Sequence, residues 1–332
     1  MAELRWNPFI KDWVIIAPKR QARTDMPKDK CPFCPGTGRI PGTYDVLSYD
    51  NDFPALCQNP QIPLEDSFNT HIRKSAYGKC EVILYSMKHE KSLWQLPVQQ
   101  IKRLVDLWGQ RFITLKKDKK IKYIYIFENR GELVGATISH PHGQIYAYSY
   151  IPKKLEMEIE SSNEYFNLNH SCLFCDMLAN EMRYGKRIVS ENEDFCAFIP
   201  FFSECPYGIY IASKNHKKNI IQFSDSEKLN LACILKDVTG TLDALFDFKF
   251  PYMMCMHQGP VNCDDYGENF HFHVEFYSPL RSKESQKFNA SGETGAWAHV
   301  NPTKPEEKAE ELRNAYIAYM GKASDYEEDG DV

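Results

Sequence analysis

A short cysteine motif occurs twice in this chain and divides it into two parts. The motif is Cys-x-Phe-Cys, and it begins once at Cys31 and again at Cys172. Five features recur in the same order in each part: the motif itself, an Asp-Phe pair (52–53 and 194–195), a lone histidine after a strand-like run (89 and 216), an amphipathic segment followed by an apolar run (101–127 and 231–256), and a His-x-His triplet (140–142 and 271–273). Ordered recurrence indicates an internal repeat. We therefore interpret the chain as two diverged copies of one unit, residues 1–155 and 156–332.

Local patterns within each copy predict both helix and strand. In each amphipathic segment the apolar residues recur at spacings of three and four, which is typical of a helix with one buried face. Ser224 and Glu227 form a capping-box pattern at the start of the second helix. The aromatic and aliphatic runs that follow the helices favour strands. The predicted fold class is therefore α+β, with the same elements in each copy.

Composition excludes several classes of protein. With 332 residues, 43% of them hydrophobic, the chain can bury a sizeable core. Its 40 Lys and Arg against 45 Asp and Glu lack the basic excess that nucleic-acid binding requires, so we expect no nucleic-acid partner. No run of about 18 apolar residues and no signal-peptide pattern occurs, which predicts a cytoplasmic protein with no membrane partner. In that reducing compartment the eleven cysteines predict no disulfide framework, and close cysteine pairs indicate metal ligands.

Each copy supplies two cysteines and two histidines that suit a metal ion. Two thiolates and two imidazoles make a tetrahedral site for Zn²⁺, and four protein ligands leave no open position for a substrate. Unligated buried thiols are the alternative, but recurrence of the same four ligand types favours metal. We therefore predict two structural zinc sites. Their ligands are Cys31, Cys34, His89 and His140 in the first copy, and Cys172, Cys175, His216 and His271 in the second.

The strand that carries the first His-x-His triplet also has residues suited to catalysis. Side chains alternate along a strand, so His140, His142 and Gln144 project to one face. With His140 on zinc, His142 remains unligated beside it and can act as a nucleophile. The Gln144 amide can donate to a phosphoryl oxygen as charge develops there. Upstream, Asn129 and the glycines within 131–135 suit a loop that approaches a phosphate, or an ordinary turn.

Several segments resemble one known family. Residues 129–144, which read NRGELVGATISHPHGQ, are similar to the active-site segment of the galactose-1-phosphate uridylyltransferases, the HPHGQ transferase branch of the histidine-triad superfamily. Residues 5–8 and 13–23 resemble the opening of that family, and residues 51–53 resemble its ribose-binding Asn-Asp-Phe triplet. Residues 287–295 are similar to a segment that reaches into the active site. The resemblance covers nearly the whole chain.

The resemblance implies a fold, a reaction and a set of binding residues. The fold is two tandem histidine-triad-like units with antiparallel sheets and flanking helices, in a homodimer. The reaction belongs to galactose metabolism and transfers UMP from UDP-glucose to galactose 1-phosphate, with His142 forming a uridylyl-histidine and Gln144 assisting. The partners are thus a nucleotide sugar and a sugar 1-phosphate. The implied substrate-binding residues are Arg20, Arg23, Asn51, Asp52, Phe53, Asn129, Gly135, Ala136, Thr137, Lys287, Phe288 and Glu293.

Alternatives remain for the second metal and for the substrate. Some members of the family hold their second metal through a glutamate and several histidines, and Glu158, His257 and His273 offer such a set, for which iron is an alternative to zinc. We prefer the cysteine set because it repeats the first site. Similar motifs occur in ADP-glucose phosphorylases, which use phosphate as the acceptor. A zinc-stabilised nucleotide-binding protein without turnover is a third interpretation, which the pairing of His142 with Gln144 disfavours.

Overall fold

The computed structural model describes residues 2–22, 31–63, 68–264 and 266–328. The strands are β1 (Glu3–Asn7), β2 (Asp12–Ile16), β3 (Leu47–Asp50), β4 (Arg73–Ser75), β5 (Gly78–Leu84), β6 (Tyr123–Arg130), β7 (His142–Tyr148), β8 (Ile188–Glu191), β9 (Phe195–Phe198), β10 (Tyr210–Ser213), β11 (Tyr252–His257), β12 (His273–Tyr277), β13 (Leu280–Ser282) and β14 (Ser285–Gln286). The helices are α1 (Val98–Leu115), α2 (Lys153–Asn169), α3 (Leu173–Tyr184), α4 (Asp225–Phe246), α5 (Ser291–Ala296) and α6 (Pro305–Glu328). None of these helices, within the ranges described, is both long and apolar enough to cross a bilayer.

Nine strands form one antiparallel sheet that both copies share. Its order is β3-β5-β7-β6-β11-β12-β10-β9-β8, and the copies join where Arg130 of β6 pairs with Tyr252 of β11. Outwards from that junction, β6-β7-β5-β3 in the first copy corresponds to β11-β12-β10-β9 in the second, with β8 added at the edge. The α+β fold of two tandem units is therefore confirmed, with one continuous sheet. The boundary between residues 155 and 156 falls within α2, and the division into domains stays a prediction.

Helices α1 and α4 pack against each other and form a large part of the core with the sheet. Full burial of a leucine or phenylalanine side chain contributes roughly 1.5–3 kcal/mol, so these faces are a major source of stability. The capping box at the start of α4 is present, because the Glu227 amide donates to Ser224 Oγ at 3.2 Å and the Ser224 amide donates to the Glu227 carboxylate at 2.7 Å. The buried face of α1 comprises Ile101, Leu104, Val105, Trp108 and Phe112.

The C-terminal helix α6 returns to the second copy and packs on α4. Ala309 and Leu312 on its inner face have no exposed surface. Gly240 of α4 allows the close approach, because a Cβ at that position would overlap the Tyr319 ring. The segment 305–320 is thus helical, and one face of this helix is part of the core.

One of the repeated sequence features does not occupy equivalent places in the two copies. Asn51 and Asp52 follow β3, where the chain leaves the sheet. Asp194 lies instead in the tight turn between β8 and β9, in which the Asn192 amide donates to the Phe195 carbonyl at 3.0 Å. The second copy has an edge hairpin, β8 to β9, that has no counterpart next to β3 in the described residues of the first copy. The Asp-Phe pairs therefore align in sequence but not in structure.

Candidate active site and metal centres

Strand β7 carries both predicted catalytic residues on one face of the sheet. His142 and Gln144 are partly exposed and flank the buried Gly143. Nδ1 of His142 donates to the carbonyl oxygen of His140 at 2.8 Å, so the lone pair of the neutral ring is on Nε2. The ring of Phe33, from the first cysteine motif, packs edge-on against the His142 ring with centroids 4.8 Å apart. The backbone and Phe33 thus orient the imidazole that is the candidate nucleophile.

Gly143 is required by what lies behind the strand. A Cβ at this position would overlap the hydroxyl of Tyr85 and would approach the carbonyl oxygen of Phe127 to 3.0 Å. Tyr85 has no exposed surface and packs edge-on against Trp108 of α1, so it cannot easily move away. Gly143, between the two predicted catalytic residues, is therefore needed for packing.

Three predicted binding residues come together beside Gln144. The Asn51 amide donates to Gln144 Oε1 at 3.3 Å, which turns the Gln144 –NH₂ group outwards as a donor. Asn51 Oδ1 accepts from the Phe53 amide at 2.8 Å. Arg20 donates to the Phe53 carbonyl at 3.3 Å and to the Tyr146 hydroxyl on β7 at 3.0 Å. The opening segment and the Asn-Asp-Phe triplet are thereby attached to β7, the strand that carries the candidate nucleophile His142.

Asp52 forms an ion pair with an arginine that was not predicted from the sequence. Its carboxylate forms an ion pair with Arg39, which also donates to the Asp50 carbonyl at 3.0 Å and lies over the Tyr49 ring. Arg39 follows the first cysteine motif in a loop, and no local pattern distinguishes it. Arg23, another predicted substrate-binding residue, lies outside the described residues.

Strand β6 places Asn129 near the candidate nucleophile His142. Phe127 pairs with Gln144, so continuation of that antiparallel register sets Asn129 opposite His142 on the same face. Gly135 has φ of +78° and closes a turn in which its amide donates to the Glu132 carbonyl at 2.9 Å. Ala136 is partly buried and Thr137 is exposed. The glycine conformation is explained by the turn, and substrate contacts of these loop residues stay a prediction.

Lys287, Phe288 and Glu293 form a separate group near the C-terminal end. Lys287 Nζ and the Glu293 carboxylate form an ion pair at 2.8 Å, and the Lys287 amide donates to the Pro279 carbonyl. The Phe288 side chain is 72% exposed. Within the described part of the chain, no hydrogen bond or ion pair joins these three residues to the His142 strand. Their role in substrate binding stays a prediction.

The four predicted ligands of the first metal converge on one point. The candidate ligand atoms of Cys31, Cys34, His89 and His140 all lie within 4.8 Å of one another. Nε2 of His140 is 2.7 Å from the Ser86 carbonyl, to which it can donate, so Nδ1 faces Cys34 Sγ at 3.8 Å. Burial lowers the pKa of His140 and keeps its ring in the neutral form that binds metal. This donor set fits Zn²⁺.

Tyr44 is a further residue of the first metal centre that the sequence did not indicate. Its hydroxyl donates to the Ser86 carbonyl at 2.8 Å and lies 3.0 Å from His140 Nε2. It thus supports the backbone carbonyl that orients the ligand ring, as second-layer contacts at metal sites commonly do. Only the folding of the loop after the cysteine motif brings Tyr44 to this position.

The second cysteine motif repeats this geometry. The candidate ligand atoms of Cys172, Cys175, His216 and His271 also lie within 4.8 Å of one another. Cys175 Sγ is 3.5 Å from His216 Nδ1 and 3.3 Å from His271 Nδ1, while His271 Nε2 lies 2.9 Å from the Ser213 carbonyl. Burial lowers the pKa of His271, as it does for His140. The donor chemistry again fits Zn²⁺.

A third group of potential ligands lies close by in the second copy. Glu158, His257 and His273 also bring their ligand atoms within 4.8 Å of one another. His273 is the counterpart of His142, because its Nδ1 lies 2.9 Å from the His271 carbonyl and the Phe174 ring stacks on it at 4.5 Å. Glu275 occupies the place of Gln144. His273 is 4% exposed, so the counterpart of His142 in the second copy is not accessible.

A buried carboxyl group lies on β6 next to Asn129. Glu128 is 5% exposed, and one of its oxygens accepts from the Tyr252 hydroxyl at 3.1 Å across the junction of the two copies. The guanidinium group of the neighbouring Arg130 donates to the two carboxylate oxygens of Asp243, at 2.6 Å and 2.8 Å. Burial raises the pKa of Glu128 from the ordinary 4.5 to about 7, against the opposing charge of Arg130. The core thus contains an acid that titrates near neutral pH.

The raised pKa of Glu128 predicts a pH dependence of stability. The unfolded chain releases this proton near pH 4.5 and the folded chain near pH 7, so the free energy of unfolding falls between those values by up to roughly 3 kcal/mol. Glu128→Gln should remove that part of the decline. Urea unfolding of both proteins at pH 5 and pH 8 measures it, with the exposed Glu132→Gln as the control. An identical pH dependence in wild type and Glu128→Gln would exclude the assignment.

Comparisons with known proteins agree with this geometry. Residues 1–152 match the family model for the N-terminal domain of galactose-1-phosphate uridyl transferase, and residues 158–319 match that for its C-terminal domain. A galactose-1-phosphate uridylyltransferase from Thermotoga maritima is 41% identical over 318 residues, covering 96% of this chain and 99% of the relative. A solved uridylyltransferase structure superposes with a TM-score of 0.87 at 29% identity, over 95% of this chain and 99% of that one. An ADP-glucose phosphorylase from Arabidopsis thaliana with bound ADP-glucose shares the fold, with a TM-score of 0.71 at 24% identity over 94% and 99% of the two chains.

Proposed function

Because the chain belongs to the galactose-1-phosphate uridylyltransferase family, a family of nucleotidyltransferases, we propose that it transfers UMP from UDP-glucose to galactose 1-phosphate through a uridylyl group on His142. The observation that carries this proposal is the orientation of His142. Its Nδ1–H is held by the His140 carbonyl, so that Nε2 has the lone pair, and the donor group of Gln144 lies two residues along the same face. A galactose-metabolising role, in the cytoplasm and as a homodimer, is part of the same proposal.

In the first step, Nε2 of His142 attacks the α-phosphorus of UDP-glucose. The nitrogen–phosphorus bond forms, the bond from phosphorus to the bridging oxygen breaks, and glucose 1-phosphate leaves. The ring becomes cationic, since it keeps its Nδ1 proton, and the His140 carbonyl stabilises that charge through the 2.8 Å hydrogen bond. No proton has to leave the protein in this step.

Gln144 suits this chemistry because no strong acid is needed. A sugar phosphate leaves readily as an anion, so its departing oxygen does not need to be protonated. Asn51 holds the Gln144 carbonyl oxygen and turns the amide hydrogens towards the reacting face. There they can donate to a phosphoryl oxygen as charge develops on it, and removal of one such donor typically costs 10²–10³ in rate.

The second step reverses the first with another sugar phosphate. A phosphate oxygen of galactose 1-phosphate attacks the uridylyl phosphorus, the nitrogen–phosphorus bond breaks, and its electron pair returns to Nε2 of His142. UDP-galactose leaves and the neutral ring is restored. Arg20, Asn51, Phe53 and Asn129 are the residues beside His142 and Gln144 that we assign to the bound nucleotide.

The two cysteine-containing centres have a structural role in this proposal. Each has four protein ligands, so Zn²⁺ bound there would cross-link chain segments without contacting substrate. In the first centre His140 is both a ligand and the residue whose carbonyl holds His142. His140 therefore connects the first metal centre to His142, because its side chain is a metal ligand and its backbone carbonyl bonds to the His142 ring.

Transfer of label to the protein tests the proposed reaction. The chain is incubated with UDP-glucose or ADP-glucose labelled in the α-phosphate and denatured in alkali, where phosphohistidine bonds survive. We expect label from UDP-glucose on the protein, released glucose 1-phosphate, and loss of the label when galactose 1-phosphate is added. Label only from ADP-glucose that is lost on addition of phosphate would identify a phosphorylase. No label from either would identify a binding protein.

A further inference from the structure

The group formed by Glu158, His257 and His273 in the second copy has a lysine side chain beside it. Lys154 of α2 reaches over the group formed by Glu158, His257, His273 and Glu275, which we call the second-copy cluster. Lys154 Nζ lies 3.0 Å from one Glu275 oxygen and 3.8 Å from one Glu158 oxygen. The cluster therefore combines two carboxylates and two imidazoles with an ammonium group.

Every carboxylate oxygen of the cluster contacts a donor from the chain. One oxygen of Glu158 accepts from His257 Nδ1 at 2.8 Å, and the other faces Lys154. In Glu275, Oε1 lies 3.3 Å from His273 Nε2, while Oε2 contacts Lys154 and His257 Nε2 at 3.4 Å. The hydroxyl of Tyr277 also bonds to Glu275 and to Lys154. The acceptors that a metal would use are thus already engaged.

The ring nitrogens of the two histidines in the cluster also have partners within the chain. Both nitrogens of His257 face carboxylates, and both nitrogens of His273 face oxygens, the His271 carbonyl and Glu275. A metal ligand needs a ring nitrogen that presents its lone pair to the ion. Glu275 is 2% exposed, so its negative charge must be compensated within the protein.

Lys154 and a divalent ion would compete for the same place. An ammonium about 3 Å from a carboxylate repels a second cation at that carboxylate. The Lys154 side chain is 51% exposed, but the Glu275 side chain is 2% exposed, and the burial of this carboxylate strengthens the repulsion. His271, the other histidine of the triplet, points instead to Cys175 at 3.3 Å. The donor set of the cysteine centre is complete without any member of the cluster.

We propose that Lys154 supplies the positive charge of the second-copy cluster, which is therefore a closed ion-pair network and not a third metal centre. The chain then holds two metal ions, one in each cysteine-containing centre. The network fixes α2 to β11 and β12 at the point where the second copy has lost the accessible His and Gln of the first. This inference concerns metal content and is independent of the transfer reaction.

Metal analysis of Lys154 variants tests the proposal. The full chain is saturated with Zn²⁺, freed of loosely bound ions by gel filtration, and assayed by mass spectrometry for metal per chain. We expect two equivalents in wild type and three in Lys154→Met, because removal of the ammonium leaves Glu158 and Glu275 with the two histidines. Lys154→Arg keeps the charge and should hold two. Lys153→Met, the adjacent lysine of the same helix, should also hold two.

Two further variants identify which residues bind each ion. Cys172→Ser with Cys175→Ser should remove one equivalent from wild type, and His257→Ala should remove none. In the Lys154→Met background, His257→Ala should abolish the added third equivalent. A wild type with three ions, one of which is lost in His257→Ala, would overturn the proposal. So would a folded Lys154→Met protein that binds only two.

Discussion

His142→Asn is expected to lower the rate of transfer by at least about 10⁴-fold, the loss typical of removing a covalent nucleophile. Asparagine has about the length of the imidazole base but lacks a nitrogen with an available lone pair. The substitution should leave the fold intact, because His142 is partly exposed and asparagine is smaller than histidine. Zinc content should also be unchanged, since His142 does not belong to any of the ligand groups.

Covalent labelling separates this effect from a loss of binding. We expect no label on His142→Asn from UDP-glucose, while UDP-glucose still protects the variant against thermal unfolding. His71→Asn, an exposed histidine outside both sets of repeated ligands, is the matched control and should label as wild type does. Alkali-stable label on His142→Asn would show that another residue is the nucleophile.

Cys31→Ser together with Cys34→Ser is expected to have the largest effect on stability. Binding of structural zinc contributes on the order of 10 kcal/mol in small zinc domains, so we expect the free energy of unfolding to fall by about 4 kcal/mol or more here. Phe33 between the two cysteines is 7% exposed and packs with Ile40 and with Val82 and Leu84 of β5. Loss of the metal should therefore also loosen the contact between Phe33 and His142, and the transfer rate should fall with stability.

Metal content and urea unfolding measure this prediction on the same samples. The double variant should lose one zinc equivalent and retain the other, which belongs to the second copy. Cys57→Ser, a partly buried cysteine outside both motifs, is the matched control and should keep both ions. Retention of both ions by the Cys31 and Cys34 variant would exclude this ligand set.

Much of the fold was predictable because its signals are local. Spacings of three and four marked α1 and α4, and Ser224 with Glu227 marked the start of α4. The apolar runs that end the segments 101–127 and 231–256 predicted β6 and β11, although each strand extends beyond the end of its run. The alignment of the two Asp-Phe pairs was misleading, since a dipeptide at a turn carries no information on which strand precedes it.

Apart from the two sets of metal ligands, contacts between distant segments were not predictable. Strand order and the paths of the loops bring together three pairs of residues that are far apart in the chain. These pairs are Asn51 with Gln144, Tyr44 with His140, and Lys154 with Glu275. None of these pairs lies within one helix or one strand. A polar residue in a loop has no periodic pattern that would indicate its partner, and so the sequence alone did not identify Tyr44, Arg39 or Lys154.

The sequence by itself determined the ligand types, their recurrence in two copies and the placement of His142 and Gln144 on one face. These depend on residue chemistry and on the period of a strand, both of which are local. Only the tertiary structure decided that β6 and β11 join the copies into one sheet, that Tyr85 requires Gly143, and that Lys154 enters the second-copy cluster. Each of these depends on the packing of segments far apart in the chain, where register and close contact select the partner.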